Sequence, residues 1–181
     1  MSAITVYQES DPSKVLLHST DGKVIQDTMA QVGIRFERWM IDCPITSEMT
    51  HDDILQAYQE EIAKLVAEEG YKTVDIAAIT PDNPQKDEFR QKFLNEHTHS
   101  EDEVRFFVAG EGMFYLHIGD KVYMIHCCKD DLLSVPDQTK HWFDMGPEPH
   151  FTAIRFFNNP DGWVANFTGD DIAKRFPLFD E

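Results

Sequence analysis

The feature that most constrains this chain is a change of pattern near residue 95. From there on it breaks into short β-branched and aromatic runs, VRFFVAG, GMFYLHIG, KVYMIHC, DLLSVP, HWFDMG and HFTAIRFF, separated by Gly, Asp, Pro and Lys. Runs this short, with turn signals between them, read as six strands of an antiparallel sandwich or barrel rather than as helices.

Residues 1 to 95 read as helical with short strands. In DGKVIQDTMAQVG, Ile25, Met29 and Val32 share a helical face and Gly33 suits the end. Ile34 to Met40 alternates like a strand. From Thr50, a capping residue, Ile54, Leu55, Tyr58, Ile62, Leu65 and Val66 keep helical spacing as far as Gly70. A shorter helix is expected from about Pro84 to Phe93, with Phe89 and Phe93 on one side. With 181 residues, 41% of them hydrophobic, the chain can bury one core. No linker, repeat or low-complexity stretch interrupts it. The expectation is a single domain spanning 1–181, in which the helical and short-strand portion, 1–95, packs on a barrel core, 96–167.

Charge narrows the partners. Sixteen Lys and Arg against 33 Asp and Glu leave a net charge of −17, which repels nucleic acid and anionic membrane surfaces and favours a monomer. A small anionic substrate would then need a local reversal of field, which a divalent cation and a buried arginine would supply. The opening MSAITVYQESDPSK lacks a basic segment followed by an apolar run, and no window approaches the roughly eighteen apolar residues of a membrane span. A soluble, cytoplasmic protein is expected. Cys43, Cys127 and Cys128 form an odd set without zinc-ribbon or disulfide spacing, so reduced thiols in ordinary structural positions are expected.

The chemistry concentrates in HTHSEDE, residues 97 to 103. His97 and His99 share strand parity, as do Glu103 and Arg105 on EVRFF, and the intervening SED can fold so that both pairs converge. The 37 residues between Glu103 and His141 allow three or four short strands to leave and return, bringing His141 opposite this cluster. Three imidazoles and a carboxylate suit Fe, Ni, Mn, Co or Zn, and on an octahedral ion leave two positions for a bidentate oxygen ligand. The bland alternative for HTHSEDE is a solvated loop. His18, His51, His117, His126 and His150 have no carboxylate at ligand spacing and read as structural or surface residues.

The run H-T-H-S-E-D-E-V-R-F-F-V-A-G resembles the first motif of the cupins, and P-D-Q-T-K-H resembles the second. Gln91 and Asp130 stand where those motifs usually open with Gly, Gln138 replaces the Gly after the proline, and Met145 replaces the final Asn. The wider stretches NPQKDEFRQKFLNEHTHSEDEVRFFVAG, SVPDQTKHWFDMG and FTAIRFFNNPDGWVANFTGDDIA resemble the acireductone dioxygenase family specifically, strongly over residues 80 to 173 and weakly in the helical part.

The resemblance implies a cupin-type antiparallel jelly-roll barrel and one Fe(II) or Ni(II) per chain, held by His97, His99, Glu103 and His141. It also implies oxygen-dependent cleavage of 1,2-dihydroxy-3-keto-5-methylthiopentene in methionine salvage. With Fe(II) the implied products are formate and 4-methylthio-2-oxobutanoate; with Ni(II) they are formate, carbon monoxide and 3-methylthiopropionate. Arg105 is the expected catalytic cation, because a guanidinium stabilises a dianionic enediolate and does not readily give up a proton. Arg155 has inward parity on FTAIRFF, and the resemblance places it near substrate with Trp163. Phe93 and Trp163 are candidate walls for the methylthio tail, with plain core packing the alternative. Glu96 and Asp102 are candidate supports behind the ligands, or solvated loop charges. Two other readings keep the four ligands: a cupin dioxygenase or isomerase acting on another substrate, and a non-catalytic metal or small-molecule binder.

Overall fold

The structure, a computed structural model, describes residues 1–180 and is mainly antiparallel β with four α-helices. One strand organises it. The first half of β6 (Glu103–Ile118) pairs with β8 (Asp131–Val135) and β10 (Phe151–Phe157); its second half pairs with β7 (Lys121–Cys128) and β9 (Lys140–Asp144). Two sheets therefore diverge from β6. One continues through β9 to β5 (His97–Thr98) and β11 (Asn166–Phe167), and through β7 to β1 (Ala3–Gln8) and β2 (Asp11–Ser19). The other adds β3 (Arg35–Arg38) beyond β8 and β4 (Thr73–Ile79) beyond β10. This is the expected cupin-type architecture, but the described strands do not close into a hydrogen-bonded ring.

Two runs expected as separate strands, VRFFVAG and GMFYLHIG, are one strand that changes sheet at its middle. Gly110 takes φ +71, and a Cβ there would lie 1.9 Å from the His150 carbonyl oxygen. That close approach admits only glycine, and the amide of Glu111 donates to the same carbonyl at 3.0 Å. Asp130 (φ 75) and Gln138 (φ 60) also adopt the left-handed conformation. This explains the glycine usual at those motif positions; here Asp130, one of the better-tolerated non-glycine residues in that region, and Gln138 occupy them.

The first 95 residues hold more strand than their pattern suggests. β1 is inserted between β2 and β7, and β4 pairs with β10 along its whole length. The helices α1 (Gly22–Ala30), α2 (His51–Ala57), α3 (Gln59–Glu69) and α4 (Lys86–Phe93) complete the fold. The helix expected over residues 50 to 70 has the predicted ends, a Thr50–Asp53 capping box and a left-handed Gly70, but breaks at Tyr58. Tyr58 is fully buried and meets Phe106 edge-on at 5.4 Å, so the break serves packing on the sheet. Ile54, Leu65, Phe106, Ile154 and Phe156 form the core there, while Ile4, Phe36, Phe107, Phe114, Leu116 and Ile125 fill the space between the sheets.

α4 matters most for the site because it carries Phe93. Arg90 on α4 grips Asp144 of β9 through two hydrogen bonds of 2.8 and 3.0 Å, and the amides of Gly146 and Phe179 donate to the same carboxylate. No helix among the described residues is long and apolar enough to cross a membrane.

Candidate metal centre

The four sequence-predicted ligands come together. His97 lies on β5, His141 faces it across the β5–β9 ladder, His99 follows in the loop and Glu103 opens β6. One donor atom from each lies within 4.8 Å of all the others, and all four residues are buried. The imidazole centroids are 4.5 to 5.0 Å apart. Each Nδ1 faces a backbone carbonyl: His97 that of Asn95 at 2.7 Å, His141 that of Thr139 at 2.7 Å and His99 that of Val164 at 3.3 Å. With each Nδ1 anchored on a carbonyl, each Nε2 is turned inward; those of His141 and His99 face the Glu103 carboxylate, and all three can serve as metal ligands once an ion displaces their protons.

The electrostatics favour a cation at the centre. Burial, helped by His141, pulls His97 down to a pKa of about 4, so its imidazole is neutral at physiological pH. Burial pushes the Glu103 carboxyl up, but Arg105 and hydrogen bonds from His141 and His99 outweigh it and hold the group well below the usual carboxylate range. Glu103 Oε2 lies 2.9 Å from His141 Nε2 and 3.2 Å from His99 Nε2. A buried carboxylate facing three imidazole nitrogens is a donor set that fits a borderline divalent ion.

On one side of these donors stands a cationic wall. Arg105 of β6 and Arg155 of β10 are cross-strand partners, and both guanidiniums stack on Trp163, at 4.5 and 4.4 Å from its ring centre. Arg155 is neutralised by Asp75 of β4 through contacts of 2.7 and 2.5 Å. Arg105 is different: its Nη2 lies 3.2 Å from Glu103 Oε1, while its Nη1 is buried and has no protein partner. An unpaired buried donor costs about 1–3 kcal/mol, more when charged, so this atom is a place for an acceptor from outside the chain.

Two clefts meet here. The outer one, about 510 Å³, runs between Lys92, Phe93, Pro160, Trp163, Val164 and Phe167 and reaches His99, Glu103 and Arg105. The inner one, about 120 Å³, is walled by Phe107, Phe114, Phe143, Met145 and Phe151, with His97, Glu103 and Arg105 at its polar end. Phe93 lines both clefts, whereas Trp163 lines only the outer mouth and stacks on the arginines.

The flanking acids are structural parts, not loose loop charges. Glu96 is buried; its carboxylate accepts from Thr168 Oγ1 at 2.7 Å and lies 2.5 Å from His117 Nδ1. Asp102 accepts from the Asp137 amide at 3.0 Å and the Tyr71 hydroxyl at 3.2 Å, and touches none of the four donors. His117 and His126, read from sequence as lacking carboxylates at ligand spacing, have partners distant in sequence: Glu96 and Glu9 for His117, Glu111 for His126. Linear spacing does not reveal such partners. Asp75 escaped the sequence reading, although a charge in TVDIAAI is the kind of polar interruption that could have drawn notice.

A buried three-histidine, one-glutamate cluster in an antiparallel fold of this kind is the donor set of a metal-binding protein of the cupin class. The profile of the ARD/ARD' family matches residues 3–165. The chain is 56% identical over 181 residues to an acireductone dioxygenase of Hahella chejuensis, covering 100% of this chain and 97% of that protein. It is 55% identical to that of Pseudomonas aeruginosa, with both covered in full. A solved acireductone dioxygenase from Bacillus anthracis, with a cadmium ion in its active center, is 29% identical with a TM-score of 0.80, over 92% of this chain and 98% of that one. The chain belongs to the acireductone dioxygenase family of dioxygenase enzymes.

Proposed function

We propose that the protein cleaves 1,2-dihydroxy-3-keto-5-methylthiopentene with O2, using one Fe(II) or Ni(II) held by His97, His99, Glu103 and His141. The observation that carries this reading is Arg105, whose Nη1 is a buried cationic donor without a partner and whose side chain lines both clefts with Glu103, beside His97 in the inner one and His99 in the outer one. When bound, the ion supplies Lewis-acid charge and two coordination positions for adjacent oxygens. The chain's own residues do the rest. Arg105 accepts the charge of the doubly deprotonated enediol without surrendering a proton. Trp163 and Glu103 hold that guanidinium in place, while Asp75 offsets the charge of the neighbouring Arg155. The inner cleft, with Phe143, Phe151 and Met145, takes the methylthio tail, and Phe93 shields the junction from water.

The outcome follows the ion: formate and 4-methylthio-2-oxobutanoate with Fe(II), and formate, carbon monoxide and 3-methylthiopropionate with Ni(II). Both sets conserve the atoms of substrate plus O2, and the first returns a keto acid suited to methionine salvage. The protein works as a cytoplasmic monomer on a small anion; its charge of −17 argues against polyanionic partners. The test is a product assay on metal-free protein reloaded separately with each ion. Products that switch with the ion are expected. Full loading without turnover would instead favour a cupin acting on another substrate or a binding protein.

A further inference from the structure

A second cluster of mixed donors lies on the outside of the β6–β7 hairpin, away from the residues described above. Glu111 of β6 and Cys128 of β7 are direct cross-strand partners, and His126, two residues before Cys128, shares its outward face. His126 Nε2 lies 2.8 Å from Glu111 Oε2, and Cys128 Sγ lies 3.6 Å from His126 Nε2 and 3.8 Å from Glu111 Oε2. An ion pair between His126 and Glu111 needs no thiol, yet all three donor atoms converge.

We propose that Glu111, His126 and Cys128 form a second metal site, selective for a thiophilic divalent ion such as Zn(II), with a fourth position left to water.

The spacing suits tetrahedral coordination. Bonds of about 2.3 Å to sulfur and 2.0–2.2 Å to nitrogen and oxygen place tetrahedral donors about 3.4–3.6 Å apart. The two sulfur separations already fall near this, and Glu111, half exposed, has only to swing back by about half an ångström. Two of the three donors are held in place. The Cys128 amide donates to the buried Asp131 carboxylate at 2.8 Å, which Ser2 also engages, and the His126 ring meets Phe179 edge-on at 5.2 Å. Coordination requires the Cys128 thiolate, so metal binding releases a proton and tightens as pH rises. The adjacent Cys127 points into the core and takes no part. The two centres differ in softness: the buried one offers no sulfur, the outer one does, so one chain can sort two kinds of ion.

Cobalt(II) titration of the untagged full-length protein, followed by absorption, separates the sites, because only the outer one can give a thiolate-to-cobalt charge-transfer band in the near ultraviolet. The band is expected to saturate, to vanish in Cys128→Ser and to weaken about 10-fold in apparent affinity in Glu111→Gln, with oxygen consumption unchanged in both. Absence of the band with cobalt in excess, or its persistence in Cys128→Ser, would overturn the proposal. Should Cys128→Ser fail to fold, Cys128→Ala, which also removes the thiol, gives the same reading of the band.

Discussion

The two flanks of the buried centre are both ionic, yet one is complete and the other is not. Beside the ligands, Glu96 is saturated: His117 and Thr168 hold its carboxylate, and its carbonyl accepts from the Thr168 amide. Toward the clefts, Arg105 is held on one side by Glu103 and by the face of Trp163, but its Nη1 is left over. The difference teaches where support ends and chemistry begins. A satisfied network rigidifies; an unsatisfied buried cation is kept because something arrives to satisfy it.

That contrast can be broken by substitution. The largest effect is expected at a ligand common to both flanks: His141→Ala should lose the ion and essentially all turnover together, read by metal analysis beside oxygen uptake. Next, Arg105→Ala should retain a full complement of metal but lower kcat about 10²–10³-fold, the scale for removing one donor to developing negative charge. Arg105→Ala at full rate would erase the distinction between the flanks. On the satisfied side, Glu96→Gln should do the reverse, weakening metal affinity by less than about 10-fold, because Glu96 holds His117 and Thr168 rather than a ligand, while the loaded fraction turns over nearly normally. Trp163→Phe, which keeps a ring but a weaker cation–π face, should raise KM and lower kcat less than about 10-fold.

A reference outside both flanks is Asp144. Burial raises its carboxyl, but Arg90 and two backbone amides outweigh that and leave it below its ordinary value. A depressed folded pKa means stability that is present above the unfolded value near 4 and is lost as pH falls through the folded one. Denaturant midpoints measured from pH 7 downward should therefore decline below about pH 4 in the native protein, and decline less in Asp144→Asn.

The sequence was most legible where one local rule decides the outcome. The parity of Arg105 with Glu103 and the return of His141 needed only strand alternation and chain length, and the resemblance carried the same residues; the expected strand parity of His97 and His99 did not hold, because β5 ends at Thr98 and His99 reaches the cluster from the loop. The caps at Thr50 and Gly70 were equally plain. What stayed hidden depends on partners far along the chain. β1 and β4 exist because β7 and β10 offer edges to them. The break at Tyr58 is imposed by Phe106, 48 positions away in sequence. Glu96–His117 and Asp75–Arg155 likewise form only once strands have paired. Gly110 looked like a strand end because its role is steric, set by the His150 carbonyl.

The most direct test of the unfinished flank is anaerobic titration of metal-loaded protein with the acireductone, following the ultraviolet absorption that distinguishes its monoanion from its dianion. At a pH where the free substrate is the monoanion, binding to the native protein is predicted to produce the dianion spectrum, and binding to Arg105→Ala is not. A monoanion spectrum in the native complex, or an equal dianion signal in both proteins, would contradict the role assigned to Arg105.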